Sequence, residues 1–251
     1  MKTFNSLFFV VMLVFSGLMS FGQKKSVAIA TFYVDRYIDF SQLGSNAAFG
    51  ANMLTLAEDS NFNLKPVLAK FHDMIFDDFS KDFPFDLYPE EKVIGNQQYI
   101  DFKGKYGNAD KEMDDANFWK RFIPYPGYKP LVEYLAKKGN SDYMLDIFGN
   151  ETDGIMFIYI DFEFVPKMAV AGMGTCGVKA FAKLKCWNKL GKKVFAINES
   201  AISSKSIPMV MGFPILKLEE ILPMCENATD KLLIDLKARL PKIVKKSASK
   251  L

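Results

Sequence analysis

The chain has 251 residues, of which 49% are hydrophobic, 24% are charged and 14% are aromatic. These fractions are typical of a chain that folds around an apolar core, and they exclude collagen, coiled coils and intrinsic disorder. The chain carries 32 Lys and Arg residues against 29 Asp and Glu residues, which leaves a formal charge of +3. An excess this small and this evenly spread argues against a nucleic-acid partner.

The first 22 residues have the features of a cleaved secretory signal peptide. Lys2 supplies a positive charge, residues 7–15 are continuously apolar, and small residues precede a cut after Gly22. The apolar run is too short to span a bilayer, which takes about 20 residues. No cysteine lies near the cut to carry a lipid. We therefore predict an exported protein, periplasmic or secreted, that has no lipid anchor and no transmembrane span after signal cleavage.

Three cysteines, Cys176, Cys186 and Cys225, make up the whole cysteine content. In an oxidising compartment at most one disulfide can form within the chain, and three pairings are open. Cys186 lies on the apolar side of an alternating run and Cys225 on the apolar face of a helical pattern, so we expect both to be small buried hydrophobic residues. Cys176 lies in a glycine-rich segment that we interpret as a loop, and we expect it to be a free thiol.

The first half of the chain predicts strands and helices in alternation. Residues 26–34 are short and rich in β-branched and aromatic side chains, which indicates a strand. Apolar residues at gaps of three and four over residues 64–79 predict an amphipathic helix. Residues 85–88 predict a short strand, and residues 96–102 predict one or two helical turns.

The middle of the chain predicts a long surface segment followed by a helix. Residues 103–128 are rich in Gly, Pro and acidic side chains and show little periodicity, so we predict an insertion of the kind that often binds. Residues 131–138 have a helical pattern, and Gly139 follows them in the position that a C-terminal cap prefers.

The second half predicts a hairpin and a final helix. Residues 155–160 are apolar on both faces, which is typical of a central strand in a covered sheet. Residues 178–187 and 194–197 alternate and are separated by a turn, so they predict two paired strands. Apolar residues at helical spacing from residue 216 to residue 240 predict a C-terminal helix.

One face of the predicted hairpin is basic, because Lys179, Lys183 and Lys185 alternate with apolar residues. If this face is open, it suits an acidic partner, whereas a solvated sheet face is the ordinary explanation. Taken together, the elements predict an α/β fold: a two-layer sandwich with a mixed sheet of about five strands covered by helices. We predict a single domain over residues 23–251 with a long loop insertion at 103–128.

Four segments carry a resemblance to a known family: the opening strand 27–32, residues 85–99, the strand after Asp153 and Gly154, and the hairpin turn at 190–192. In their order these segments resemble the curli-secretion-channel lipoprotein superfamily and the related amino-terminal domain of the Tol-system propeller protein. The resemblance implies an envelope protein that binds other envelope components and has no enzymatic activity. It does not extend to channel formation, since the sequence lacks the lipidated cysteine and an amphipathic strand pair suited to a pore.

Residues 172–177 satisfy the pattern G-x-G-x-x-G, and Glu199 lies where a ribose partner is sought. The motif binds a dinucleotide only when it opens a helix, whereas residues 178–187 have the period of a strand. We therefore expect a flexible loop between two strands, and we predict no cofactor.

Catalytic and metal-binding motifs receive little support from the sequence. Cys176 with His72, the only histidine, would need a third orienting group to act as a nucleophile and its base. A half-buried histidine at the edge of a helix explains His72 more simply. Because the histidine is single and the cysteines are dispersed, no metal site is predicted. The nucleophile pattern G-x-S-x-G is absent.

A run of oxygen ligands resembles a calcium loop and comprises Asn108, Asp110, Glu112, Asp114 and Asp115. An EF-hand loop requires Gly at its sixth position, which is Met113 when the loop is counted from Asn108. We expect a solvated acidic loop, with weak calcium binding as the lesser alternative.

Aromatic residues of the insertion are our candidates for protein contact, namely Phe118, Trp119, Phe122, Tyr125 and Tyr128. Large rings beside prolines suit protein or glycan contacts. Packing of the long loop onto the sheet explains the same residues equally well.

The sequence therefore predicts an exported, non-enzymatic envelope protein that acts through protein-protein contacts, with its sheet or the insertion as the contact surface. Its partners are envelope proteins, and a homo-oligomer is compatible with the sequence. The alternative is a hydrolase or a small-ligand-binding enzyme whose site is assembled from distant residues. Convergence of Cys176, His72 and a carboxylate in one pocket would favour that alternative.

Overall fold

The structure is a computed structural model that describes residues 24–43, 59–106, 111–112, 121–133, 138–170, 173–211, 213–245 and 248–251. The predicted signal peptide and most of the acidic run of the insertion lie outside these residues. Within the described part of the chain, no helix has both the length and the apolar character that a membrane crossing requires.

Strands and helices alternate irregularly along the chain. The strands are β1 (Ser26–Asp39), β2 (Asp86–Leu87), β3 (Lys105–Tyr106), β4 (Lys111–Glu112), β5 (Phe122–Pro124), β6 (Gly154–Val170), β7 (Met173–Asn188), β8 (Lys193–Ile202), β9 (Ile207–Val210) and β10 (Phe213–Pro214). The helices are α1 (Lys65–Asp73), α2 (Glu90–Ile94), α3 (Gln97–Asp101), α4 (Asn140–Phe148) and α5 (Leu218–Lys245). A π turn (Met74–Asp78) and a 3-10 turn (Phe79–Asp82) continue α1.

One mixed sheet of eight strands organises the fold, in the order β10-β9-β7-β6-β1-β2, with β5 also on β1 and β8 also on β7. β1 runs parallel to β6 and β2, and the other pairs are antiparallel. The predicted α/β class and mixed sheet are confirmed, but the sheet exceeds the predicted five strands. The extra strands at its edges are two to four residues long, too short to show a periodic pattern.

The β6–β7 hairpin extends beyond its neighbours. β1 pairs with β6 only up to Glu163, and β8 pairs with β7 only over residues 179–187. Residues 164–170 of β6 therefore have β7 as their strand neighbour and not β1, and β9 pairs with the first four residues of β7. At about 3.3 Å per residue, this end of the hairpin continues roughly 23 Å past the last pair with β1.

The two faces of the sheet differ because successive side chains of a strand point in opposite directions. On one face, Phe32 of β1 contacts Phe71 of α1, with the ring centroids 5.4 Å apart. On the same face Glu199 of β8 forms an ion pair with Arg239 of α5, at 2.6 Å. We call this the helix-covered face. Its strand residues include Met156, Ile158, Ile160, Phe162, Val178, Ala180, Ala182 and Leu184, all of them buried.

The opposite face, which we call the second face, changes along β6. Near the start of the strand it is buried, as Phe157 and Trp187 pack edge to face with ring centroids 5.1 Å apart. Farther along, Tyr159, Asp161 and Glu163 are only half-buried. The second face therefore opens toward the end of the hairpin that extends past β1.

The prediction of a helix over residues 131–138 is wrong at its described positions, 131–133 and 138. Residues 131–133 are not helical, residues 134–137 lie outside the described part, and the helix is α4, which the sequence analysis missed. Gly139 is extended, with φ −91° and ψ 173°, and its N–H donates to Asp142 Oδ2 at 2.7 Å. Gly139 thus precedes a helix instead of ending one, because an acidic side chain three residues later caps the free N–H.

Candidate functional site

The described aromatic candidates of the insertion lie on both sides of β1 instead of forming one surface. β5 pairs antiparallel with β1, and the Phe122 ring contacts Tyr33, with the centroids 5.2 Å apart. Tyr128 packs from the other side against Phe32, at 6.1 Å. Phe122 and Tyr128 are both buried. These two candidates for protein contact are therefore packing residues of the described fold.

Tyr125, the third described candidate, stacks on His72 of α1. Their ring centroids are 3.6 Å apart with an interplanar angle of 7°, and Phe76 stacks on His72 with its centroid at 4.4 Å. His72 Nε2 lies 2.9 Å from Glu90 Oε1. Tyr125 thus closes over a buried histidine. Phe118 and Trp119 lie outside the described residues, as do the acidic side chains of the calcium-like run.

All three cysteines are free and buried. The predicted glycine-rich loop is strand from Met173 onward, and Cys176 lies in β7 opposite Pro166 and Ile207. Burial raises the pKa of the Cys176 and Cys186 thiols to about 12 and also raises that of Cys225. A thiol must ionise to act as a nucleophile or a metal ligand, so these positions disfavour both roles.

The catalytic convergence that would favour an enzyme is not observed among the described contacts. The ring nitrogens of His72 face Glu90 and Asp73, and its other neighbours are aromatic rings. Cys176 has none of these groups as a neighbour in its strand pairs. Across the described residues, no group of three or more His, Cys, Asp or Glu side chains is placed to hold a metal ion.

Two of the three lysines of the second face are already paired with carboxylates. Lys183 forms an ion pair with Asp161 across the β6–β7 hairpin, and Lys185 forms one with Glu133. The Lys179 ammonium lies over the Phe181 ring, 4.6 Å from its centroid. The predicted basic face is therefore a face of mixed charge.

A cleft of about 350 Å³ opens on the half-buried part of this second face. We call it the charged cleft. The described residues that line it are Asp35, Tyr37, Asp39, Arg121, Asp161, Phe162, Glu163, Phe181, Lys183 and Asn198. An adjoining cavity of about 250 Å³ shares Asp35, Arg121 and Asp161 with it. Strands β1, β6 and β7 supply most of the lining, so the sheet itself fixes the positions of these side chains.

The ion pair between Asp35 and Arg121 closes one side of the charged cleft. Arg121 Nε lies 2.9 Å from both carboxylate oxygens of Asp35, and Nη2 lies 2.5 Å from Oδ2. The N–H of Tyr37 donates to the same carboxylate at 2.9 Å. Burial raises the pKa of Asp35 even though Arg121 opposes the shift. A planar guanidinium that binds a carboxylate through two nitrogens holds both side chains in a fixed geometry.

Only one of the two carboxylate oxygens of Asp161 has a hydrogen-bond partner among the described residues. Its Oδ2 accepts from Lys183, but its Oδ1 is enclosed and has no hydrogen-bond partner among the described residues. Burial raises the pKa of Asp161 against the opposing effect of Lys183. Glu163, two residues farther on the same face, has no ion pair within the described part of the chain. A partly buried carboxylate such as that of Asp161 reduces stability, and such groups are common at functional sites.

A second surface stands out where the hairpin extends past β1. Large exposed hydrophobic residues lie together there, since Val170 pairs with Met173, which pairs in turn with Val210. We call this group the apolar tip. Its members and their exposed fractions are Met168 (71%), Val170 (78%), Met173 (66%), Val210 (45%) and Met211 (81%). Met211 has a positive φ of 53°, which is uncommon for a residue with a side chain.

Sequence reasoning missed the main residues of both surfaces. Asp35 lies within a strand longer than the predicted one, and Arg121 lies in a segment without periodicity. The alternation of Asp161 and Glu163 with apolar residues was a usable signal, because it places both carboxylates on the same face as Lys183. The apolar tip had its own signal: residues 168–178 and 206–216 contain no ionisable side chain other than Cys176.

Comparison of the chain with protein-family models and with curated proteins finds no match. The fold and the two surfaces define a mixed α/β protein with a protruding apolar hairpin end and a charged cleft. Function is therefore inferred from the geometry of these surfaces.

Proposed function

We propose that this chain is an exported, non-enzymatic envelope protein that acts through protein-protein contacts, and that its apolar tip inserts into an apolar groove of another envelope protein. The signal-like residues 1–22 support export. The resemblance in element order to the curli-secretion-channel lipoprotein superfamily supports a place in the envelope. The exposed apolar tip carries the proposal of a protein contact.

Exposure at the apolar tip is concentrated rather than scattered. Ten large hydrophobic residues are exposed in the described part of the chain, and the tip holds five of them. Single exposed hydrophobic residues are ordinary, whereas a contiguous group marks an interaction surface. Methionine is enriched at interfaces because its side chain is flexible and polarisable, and three of the five residues are methionines.

The chemistry around the apolar tip favours a protein over a lipid surface. Segments that lie on membranes carry Lys or Arg and large aromatic rings beside their apolar residues. Lys167 is the nearest cation in sequence, and its ammonium donates to the carbonyls of Ser203, Ser204 and Lys205, at 2.6 to 2.9 Å. Residues 168–178 and 206–216 contain no Trp or Tyr.

The shape of the apolar tip favours a groove in a different protein over a second copy. Two strand ends present only a few side chains, and a standard interface buries roughly 800 Å² on each partner. Two projecting tips in contact would bury less than that. A groove that surrounds the tip contacts it from several sides, so it removes more apolar surface from water.

Site-specific photo-crosslinking in the native envelope tests this proposal. The crosslinker is placed at Met168 or Met173 and, as matched controls, at Leu190 or Ile234, which are as exposed but lie outside the tip. We expect one defined protein to crosslink from the tip positions only. We also expect that purified protein to bind the double variant Met168→Ser, Met173→Ser at least about tenfold more weakly than the wild type, and the Leu190→Ser variant equally well.

Three results would contradict the proposal. Crosslinks to lipid would replace the protein partner with a membrane surface, and crosslinks between copies of this chain would replace it with self-association. Equal affinity of the wild type and of a folded double variant for the identified protein would remove the apolar tip from the contact.

A further inference from the structure

The charged cleft is a second candidate site that shares no residue with the apolar tip. We propose that it binds an alkylammonium group, the chemical group carried by a lysine side chain or by a free primary amine. This inference does not depend on the function proposed for the tip, because the two surfaces use different residues and different chemistry.

The size and the walls of the charged cleft suit a small organic group. Its volume of about 350 Å³ lies at the lower end of the range of roughly 300 to 1,000 Å³ for pockets that enclose small molecules. Tyr37 and Phe181 line it, so an alkyl chain meets aromatic surface. A bare metal ion does not need this space, and no group of metal ligands is present among the described residues.

The charges of the cleft favour a cation over an anion. Among the described residues, four carboxylates line it, Asp35, Asp39, Asp161 and Glu163, against the two cations Arg121 and Lys183. Both cations are engaged in ion pairs with carboxylates of the same cleft. An anionic ligand would have to break these pairs and face the remaining carboxylates, whereas a cationic ligand adds the missing positive charge.

The acceptors that remain suit an ammonium. On β6 they are Asp161 Oδ1, which has no hydrogen-bond partner among the described residues, and the carboxylate of Glu163, which has no ion pair there. The carboxylate of Asp39 already accepts from the N–H and the hydroxyl of Ser41. The terminal torsion of an aspartate side chain is soft, and Asp161 lines the cleft, so rotation about this torsion can bring Oδ1 to a bound ligand. The two acceptors belong to different residues. Separate acceptors fit the three diverging donors of an ammonium better than the planar fork of a guanidinium.

Both carboxylates lie on β6 and face lysines of the neighbouring strand β7. Asp161 already holds Lys183 across the hairpin, and Glu163 lies opposite Lys179 in the strand register. A bound ammonium adds a charge-assisted hydrogen bond to Asp161 without removing Lys183, because the carboxylate has two oxygens.

Titration of the protein with pentylamine and with pentanol, followed by amide chemical shifts in NMR, tests the proposal. The two compounds have the same chain length and differ in charge. We expect saturable shifts around Asp161 and Glu163 with pentylamine only. Lysine blocked at its α-amino and carboxyl groups forms a second arm. Binding of blocked lysine points to a protein side chain as the natural source, and binding of pentylamine alone points to a free amine.

Two charge-neutral variants complete the experiment. We expect Asp161→Asn and Glu163→Gln each to weaken pentylamine binding about tenfold or more, and Leu190→Ser, remote from the cleft, to leave it unchanged. Both variants keep the shape of the side chain, so folding is retained, and thermal unfolding verifies this. Absence of saturable binding, equal binding of pentanol, or unchanged affinity in both folded variants would overturn the proposal.

Discussion

The two faces of the β6–β7 hairpin belong to the same backbone but differ in nearly every physical property. On the helix-covered face, Ile160 and Phe164 are buried in the hydrophobic core. On the second face, Asp161 and Glu163 occupy the intervening positions and line an open cleft. One strand can therefore contribute to stability with its even-numbered residues and expose charged groups with its odd-numbered ones. Substitutions on the helix-covered face should therefore lower stability without changing the charged cleft, and substitutions on the second face should change the cleft with little loss of stability.

Truncation on the helix-covered face should produce the largest effect. We expect Phe164→Ala, opposite Val178 on this face, to lower the free energy of unfolding by about 3–5 kcal/mol, because it leaves a cavity in a closely packed core. Urea denaturation followed by circular dichroism measures the change. Glu163→Gln, at the adjacent position on the second face, is the matched control, and we expect its unfolding free energy to stay within about 0.5 kcal/mol of the wild type. Equal losses in both variants would show that the two faces are not separate.

Removal of Arg121 should have an intermediate effect. We expect Arg121→Ala to lower the free energy of unfolding by about 1–3 kcal/mol, because it leaves the buried Asp35 carboxylate without its cation. The side chain of Arg121 is about half exposed, so water screens the ion pair. We therefore expect a smaller loss of unfolding free energy than for a fully buried ion pair. The double variant Asp35→Asn, Arg121→Ala should lose less than Arg121→Ala alone, and a double-mutant cycle in urea denaturation measures the difference. Strictly additive losses would contradict a coupled pair.

Neutralisation of Asp161 should have the smallest effect and the opposite sign. Burial raises the pKa of this carboxyl in the folded state, so the unfolded chain releases its proton more readily. The stability contributed by the protonated carboxyl is complete below the ordinary aspartate pKa of about 3.9, and it is lost as the pH rises through the raised folded-state pKa. We therefore expect Asp161→Asn to raise the melting temperature at neutral pH.

The pH dependence provides the control for this prediction. The difference in melting temperature between Asp161→Asn and the wild type should shrink as the pH falls below about 4, because the wild-type carboxyl is then protonated in both states. Differential scanning calorimetry across this range measures it. A variant that is less stable than the wild type at neutral pH would indicate that the ion pair with Lys183 outweighs the cost of burial.

Most regular elements were predictable because their patterns are local. The apolar alternation of residues 178–187 gave β7, and the helical spacing of residues 64–79 gave α1 with the turns that continue it. The burial of Cys186 and Cys225 followed from the same patterns and is confirmed. The prediction that Gly139 ends a helix was wrong because glycine suits either end of a helix, and only its hydrogen bond to Asp142 shows which end it occupies.

The candidate sites were much less predictable. The aromatic residues of the insertion drew attention by their type, yet Phe122 and Tyr128 are buried against β1 in the described structure. Asp35 and Arg121 are 86 residues apart, and no local pattern links them. The lysines of the second face were identified, but their partners Asp161 and Glu133 depend on strand register and on a segment that follows β5.

The sequence by itself determined the α/β class, the strands and helices with strong periodicity, and the division of the hairpin into two unlike faces. These properties depend on the order of residues that are neighbours in the sequence, and this order is the same in the unfolded and in the folded chain. Only the tertiary structure decided that the described strands form one sheet of eight, that Lys183 and Lys185 pair with carboxylates, and that exposed hydrophobic residues gather at the hairpin end. Each of these features depends on which distant strand or side chain lies beside a segment, and on the residue at which that neighbouring strand ends. Contacts between distant segments leave no periodic pattern in the sequence.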